Sequence, residues 1–196
     1  MFRVNRISAT PKILAIVYTD GGVASPYIAE LGYRLREVGT SVAGIVQYKS
    51  SLPRPSRCAI EVEELSSRFV LQLSEDEADQ PFGCRIDPEA LAEAAALIAA
   101  ALRKNPDVVI LNKFGRLEAE GGGLREIIAE AILLGTPLIA GVPRRNLAPW
   151  RAFTKGLAEE ISIGSTRLYQ WLAAHRMILD CEIAVAPAMP TIRATG

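Results

Sequence analysis

The chain has 196 residues, with 22 Lys and Arg against 22 Asp and Glu, so its formal net charge is zero. That length is enough for one α/β domain with a sizeable core. The charge balance argues against a nucleic-acid binder, which carries a basic excess, and favours association into a homo-oligomer. No apolar run approaches the length of a membrane span. The opening MFRVNRISATPK is basic but lacks the apolar stretch of a signal peptide, which predicts a cytoplasmic protein.

In chain order, residues 1–11 read as an N-terminal arm, and Lys12–Tyr18 (KILAIVY) as a first buried strand. Thr19–Gly22 forms a turn. Ser25-Pro26 supplies a helix cap and a proline at the first helical position. Ile28, Leu31, Leu35 and Val38 then recur at helical spacing up to Gly39. Ser41–Gln47 is a second strand, completing a right-handed βαβ unit. A Ser-, Pro- and Arg-rich loop, Tyr48–Arg57, leads to two alternating segments, Cys58–Leu65 and Arg68–Ser74. Ser66-Ser67 between them predicts an antiparallel hairpin. Asp87-Pro88 caps an Ala-rich helix to about Lys104, with Leu91, Ala94, Ile98 and Ala101 facing inward.

Val108–Leu111 follows as a short β-branched run, predicted to be a strand buried on both faces. Gly121–Gly123 frees the chain to enter a helix whose inner face is Leu124, Ile127, Ile128, Ala131 and Leu134, ending at Gly135. Pro137–Val142 is a further strand, Leu147–Lys155 a helix, Ala158–Ile163 a last strand, and Thr166–Met177 an amphipathic helix. The alternation predicts a three-layer α/β/α sandwich with a mainly parallel sheet and an inserted β-hairpin. It divides the chain into an arm (1–11), an α/β domain (12–163) and a C-terminal helix and tail (164–196).

In an open parallel sheet, ligands sit beyond the carboxyl ends of the strands. The turns there carry Lys49, Arg54, Arg57, Lys113, Arg116, Arg144 and Arg145 against Asp20, Glu118 and Glu120. That edge is locally basic in a neutral chain, and helix N-termini add N–H donors to it. Asn112-Lys113, at the end of the Val108–Leu111 strand, places an amide and an ammonium where magnesium handling would need carboxylates. They suit an anion, with Lys113 as a point charge and Arg116 as a forked donor. The competing reading pairs Lys113 with Glu118 or Glu120. The first strand–turn–helix stands where a phosphate-binding loop, G-x-x-x-x-G-K-[ST], would be. Here Gly21 is followed by Gly22–Ser25 and then Pro26-Tyr27-Ile28, without the lysine and the hydroxyl. Asp20 either contacts a ligand or caps the helix.

The three cysteines, Cys58, Cys84 and Cys181, are odd in number and lack metal-ligand spacing. Cys84 reads as a small buried residue, with a thiol activated by Arg85 and the helix N-terminus, or a Cys58–Cys84 redox pair, as the alternatives. The single histidine, His175, argues against a His-rich metal site or a Ser-His-Asp triad and reads as a surface residue. Trp150 and Trp171 read as core or interface residues.

Three motifs together resemble an uncharacterised bacterial family whose genes often lie beside molybdate-transport and molybdoenzyme genes: Asn112-Lys113-Phe114-Gly115 with Glu118-Ala119-x-Gly121, Gly83-Cys84-Arg85-Ile86-Asp87, and Val17-Tyr18-x-Asp20-Gly21. The similarity runs from about Lys12 to Ile163. That family in turn resembles the small P-loop nucleoside-triphosphatases, in which Asp-Glu-Ile-Gly stands at the place of Asn112–Gly115. The resemblance implies a P-loop-like fold in which the Walker-type residues have been replaced.

The expected function is therefore non-hydrolytic binding of a small anion, an oxyanion such as molybdate or a phosphate-containing ligand. Asp20, Gly21, Gly22, Arg85, Asn112, Lys113 and Arg116 are the candidate ligand residues. No catalytic residue, metal ligand or cofactor is assigned, and no nucleic-acid or membrane partner is expected. Two alternatives remain. One is a divergent nucleoside-triphosphatase or nucleotide-dependent transferase using Asp20, Glu118 and Glu120. The other is a protein-interaction module in molybdoenzyme assembly, using the C-terminal helix and tail.

Overall fold

A computed structural model describes residues 10–48, 60–74, 85–179 and 183. The expectations for Cys58, Cys84, Cys181, Lys49, Arg54 and Arg57 fall outside those residues. The strands are β1 (Ile13–Tyr18), β2 (Val42–Gln47), β3 (Glu61–Glu64), β4 (Val70–Gln72), β5 (Val108–Leu111), β6 (Leu138–Pro143) and β7 (Ala158–Ser162). The helices are α1 (Gly21–Glu37), α2 (Pro88–Leu102), α3 (Arg116–Ala119), α4 (Arg125–Leu134), α5 (Leu147–Thr154) and α6 (Arg167–Ala174).

All seven strands form one sheet in the order β4-β3-β2-β5-β6-β1-β7. The pairs β2–β5, β5–β6, β6–β1 and β1–β7 are parallel. The β3–β4 hairpin adds antiparallel to β2. This is the mixed α/β sandwich that the strand–helix alternation predicted, hairpin included.

The apolar runs of β1 and β5 follow from burial on both faces. Ile13 and Ala15 of β1, with Val109 and Leu111 of β5, join a core with Ile98 of α2, Ile128 of α4 and Trp150 of α5. Leu14, Ile16, Val108 and Ile110 face the other way, into a core with Ile28, Leu31 and Leu35 of α1. Helix α6 contributes Leu168, Trp171 and Leu172 to that second core. Trp171 Nε1 also donates to the Pro11 carbonyl at 2.7 Å. The C-terminal helix thus packs on the sheet, and its apolar stripe faces inward.

Three local expectations are corrected. Helix α1 starts at Gly21, with Asp20 as its cap rather than Ser25, and Pro26 lies inside it. Pro26 has no N–H for the Gly22 carbonyl. The helix persists because Tyr27, Ile28, Leu31 and Leu35 bury one continuous face. Leu134 is 57% exposed instead of inward, because α4 ends there and Gly135 (φ +68°) turns the chain. His175 is half-buried, its ring 4.3 Å from that of Trp171.

Candidate functional site at the carboxyl edge

Because β1, β2, β5, β6 and β7 run parallel, their carboxyl ends share one edge. β6 lies between β1 and β5, so the turn after β6 separates the other two. At the end of β5 the backbone bends over β6. Asn112 N–H still donates to the Ile45 carbonyl of β2, whereas Phe114 N–H donates to Gly141 of β6 at 2.7 Å. The crossing requires glycine at 141, since a Cβ there would collide with the Asn112 carbonyl and Ile28 Cδ1.

Phe114 anchors this turn. Its ring is buried, edge-on to Trp150 at 5.1 Å and stacked on Phe153 at 6.0 Å. Its carbonyl accepts from Asn146 Nδ2 at 3.0 Å, tying the turn after β6 to the turn after β5. Glu118, buried in α3, holds the rest of the connection. Its Oε2 accepts from Gly115 N–H at 2.7 Å and its Oε1 from Leu124 N–H at 2.9 Å. Gly123 (φ +59°) lies so close that any Cβ would overlap the Glu118 carboxylate. Sequence reasoning offered Glu118 as a metal ligand or a partner for Lys113; both of its oxygens instead serve the backbone.

Lys113 is exposed on this anchored turn and has no hydrogen bond or ion pair among the described residues. Asn112 beside it donates from Nδ2 to Ser25 Oγ of α1 at 3.2 Å. Asn112 Oδ1 is buried with no hydrogen-bond partner. Asn112 and Lys113 therefore adjoin the start of α1, where Asp20, Gly21 and Gly22 lie exposed. Asp20 Oδ1 accepts from Gly22 N–H at 2.8 Å, so of its two sequence-level roles it performs the capping one. Gly21–Ile28 lies wholly within α1, and the β1–α1 connection is a direct strand-to-helix turn. A Walker-type cradle needs a loop before the helix, with lysine and a hydroxyl at its end. The residues present do not fit a magnesium–triphosphate group.

The remaining candidates lie elsewhere. Arg116 Nε bonds Glu120 Oε1 at 2.8 Å on the exposed face of α3, and that hydrogen bond raises its pKa. Arg85 precedes the α2 cap, next to the Ser74–Ile86 bridge beyond β4. β3 and β2 separate β4 from β5, about 14 Å of sheet at the usual strand spacing. The geometry thus gathers Asp20, Gly21, Gly22, Asn112 and Lys113, but not Arg85, and it gives Arg116 a partner of its own.

Two features were missed by sequence reasoning. Ser25 read as a helix cap but is the partner of Asn112. Tyr18, which the sequence offers as the end of an apolar strand and part of a family motif but not as a ligand residue, is buried with its ring beside Gly21. Burial pushes its pKa up to about 12, partly opposed by the nearby Arg145 guanidinium. A groove of ≈ 430 Å³ runs from the same helix start, lined by Gly21, Gly22, Ser25, Pro26, Tyr33 and Tyr48.

Comparisons with known proteins agree with this architecture. The crystal structure of THEP1 from the hyperthermophile Aquifex aeolicus matches with a TM-score of 0.59 at 14% identity. The match covers 81% of this chain and 93% of that one. The likeness is one of fold. The molybdenum import ATP-binding protein ModC 2 of Bradyrhizobium diazoefficiens is 27% identical over 198 residues. That match covers 93% of this chain but only 22% of the relative's length. Over residues 13–171 the sequence matches the model of the DUF2478 family of proteins of unknown function, and the chain belongs to that family.

Proposed function

We propose that this protein binds a small anion at the carboxyl edge of β5 without hydrolysing a nucleotide. The observation that carries the reading is Lys113: an exposed ammonium with no hydrogen bond or ion pair among the described residues, on a turn fixed by Phe114, Gly141 and Asn146. Magnesium-dependent phosphoryl transfer needs carboxylates free to hold the metal. Glu118 is engaged by backbone N–H groups, Glu120 by Arg116, and Asp20 by the cap of α1. Asn112, Gly21 and Gly22 complete the site. Arg116 is a peripheral contributor that must leave Glu120 to reach a ligand, and Arg85 contributes only if the ligand extends toward β4.

The similarity to a molybdenum import ATP-binding protein makes molybdate the first probe, with sulfate and inorganic phosphate beside it. Isothermal titration of the full chain is expected to show binding of at least one of these, lost in Lys113→Ala. No heat with any of them would overturn the reading. Phosphate release from a nucleotide panel with magnesium, abolished by Asp20→Asn, would favour the hydrolase alternative.

The same relative supports a second reading, that the chain works as a module beside a molybdenum-handling ATP-binding protein. Co-purification with such a protein, weakened by substitutions on the exposed face of α6, is the expected result; full retention by those variants contradicts that surface.

A further inference from the structure

At the ends of β1 and β6, residues outside the set just proposed form a second group of donors. Tyr18 is paired in register with Pro143, so Arg144 and Arg145 follow directly beside its end of the sheet. Tyr18 is only 7% exposed, yet its hydroxyl has no hydrogen-bond partner among the described residues. A buried phenol normally finds such a partner. Among the described residues the fully enclosed unpaired side-chain atoms are Asn112 Oδ1 and Trp150 Nε1; the Tyr18 hydroxyl is not one of them, so it reaches the surface. The Cε2 edge of the ring, next to the carbon that bears the hydroxyl, lies beside Gly21 at the start of α1.

Arg144 and Arg145 are exposed and have no ion-pair partner among the described residues. Arg145 is the one whose charge Tyr18 senses. Their turn is held by Asn146, whose Nδ2 bonds the Phe114 carbonyl. It therefore forms one platform with the turn bearing Lys113. At the helix start, the Gly21 and Val23 amides have no acceptor among the described residues, while Asp20 takes the Gly22 amide.

We infer that Tyr18 and Arg145 are ligand-binding residues, completing with Lys113 a donor array for a tetrahedral dianion seated across the ends of β5, β6 and β1. The inference rests on the proposed anion-binding function and adds the residues and the charge class of the ligand. The Tyr18 hydroxyl stays protonated and donates, the Arg145 guanidinium offers a planar fork, and the Lys113 ammonium neutralises the second charge. The array offers few acceptors, so a fully deprotonated oxyanion is favoured over a protonated one. The same chemistry is presented by a free oxyanion and by a terminal phosphate monoester. The adjoining ≈ 430 Å³ groove has room for the organic part of the latter.

Titration calorimetry of the full chain with molybdate, inorganic phosphate and adenosine monophosphate tests this, using Tyr18→Phe, Arg145→Ala and Lys113→Ala. Tyr18→Phe keeps the packed ring and removes only the hydroxyl, and circular dichroism confirms that each variant is folded. Hydrogen bonds to a charged ligand are worth enough that Tyr18→Phe and Arg145→Ala should each weaken binding roughly 10- to 100-fold. Tighter binding of the monoester than of phosphate identifies the groove as part of the site. Comparable binding of the two identifies the free oxyanion. Binding lost in Lys113→Ala but unchanged in Tyr18→Phe and Arg145→Ala would overturn this inference and leave the proposed function standing. No binding by the unaltered protein would overturn both.

Discussion

Glu118 shows how a single residue can shape the site without touching a ligand. Its carboxylate is buried and replaces water for two backbone N–H groups, at Gly115 and Leu124. Truncating it leaves both donors unsatisfied next to a void. Glu118→Ala is predicted to lower stability by roughly 3 kcal/mol, read from urea unfolding. The same variant should loosen the Lys113 turn and weaken anion binding. A loss below about 1 kcal/mol would contradict the role assigned to those two bonds. The sequence contained Glu118 but not this role, because an isolated acidic residue after a basic turn reads equally as ligand, surface partner or clamp. The pairing emerges only when the chain folds back so that Gly123 meets the carboxylate. Lys113 and Asn112 were legible for the opposite reason: a polar pair directly after a doubly buried strand has only the sheet edge to occupy.

Among the elements, β7 is an edge strand that needs protection from pairing with other chains. Its acidic residues are tied to neighbouring helices. Glu160 takes a two-pronged bond from Arg151 of α5, at 2.7 and 2.6 Å, and Glu159 takes Arg167 of α6 at 2.7 Å. The Arg151 hydrogen bond holds the Glu160 pKa below its ordinary 4.5. A depressed folded pKa means that the unfolded chain binds the proton more readily. This stabilisation is therefore present above pH 4.5 and is lost as the pH falls through the lower folded value. Because Arg151 is largely exposed, solvent screens the pair and keeps its contribution small. Glu160→Gln is predicted to lower the thermal midpoint slightly at pH 7 and progressively less as the pH falls below 4.5, by thermal unfolding across that range. A penalty that stayed constant as the pH fell would mean the loss is one of packing.

Elements with both a strong period and a local punctuation mark were readable in advance. Asp87-Pro88 fixed the start of α2, and the Ser66-Ser67 turn fixed the hairpin. The start of α1 differs from the expectation because Ser25-Pro26 carries the usual start signal, and the sequence leaves Asp20 open between helix cap and ligand contact. Four-residue α3 was missed because so short a segment has no period to detect.

At the scale of the whole molecule, α6 completes one of the two cores. Leu168, Trp171 and Leu172 cover the α1 side of the sheet, and Trp171 reaches back to Pro11. Sequence periodicity gave this helix an apolar stripe but could not say whether the stripe faces the domain or a partner. A chain ending at Ile163 would expose that stripe's bed. It is predicted to lose cooperative unfolding, whereas a chain ending at Leu179 should retain it, measured by chemical denaturation followed by circular dichroism. Cooperative unfolding of the shorter chain with unchanged stability would make α6 dispensable to the core.

Shared placement of the strand ends also gives a neutral chain a locally basic edge. Arg144, Arg145 and Lys113 project from turns that the sheet brings together, while Glu118, Glu120 and Glu160 are spent on internal partners. The most direct test of that central claim is isothermal titration of the full-length protein with molybdate, sulfate and inorganic phosphate, alongside Lys113→Ala. Saturable binding of at least one anion that disappears in the variant is the predicted result. Absence of binding to all of them, or binding that Lys113→Ala leaves intact, would contradict it.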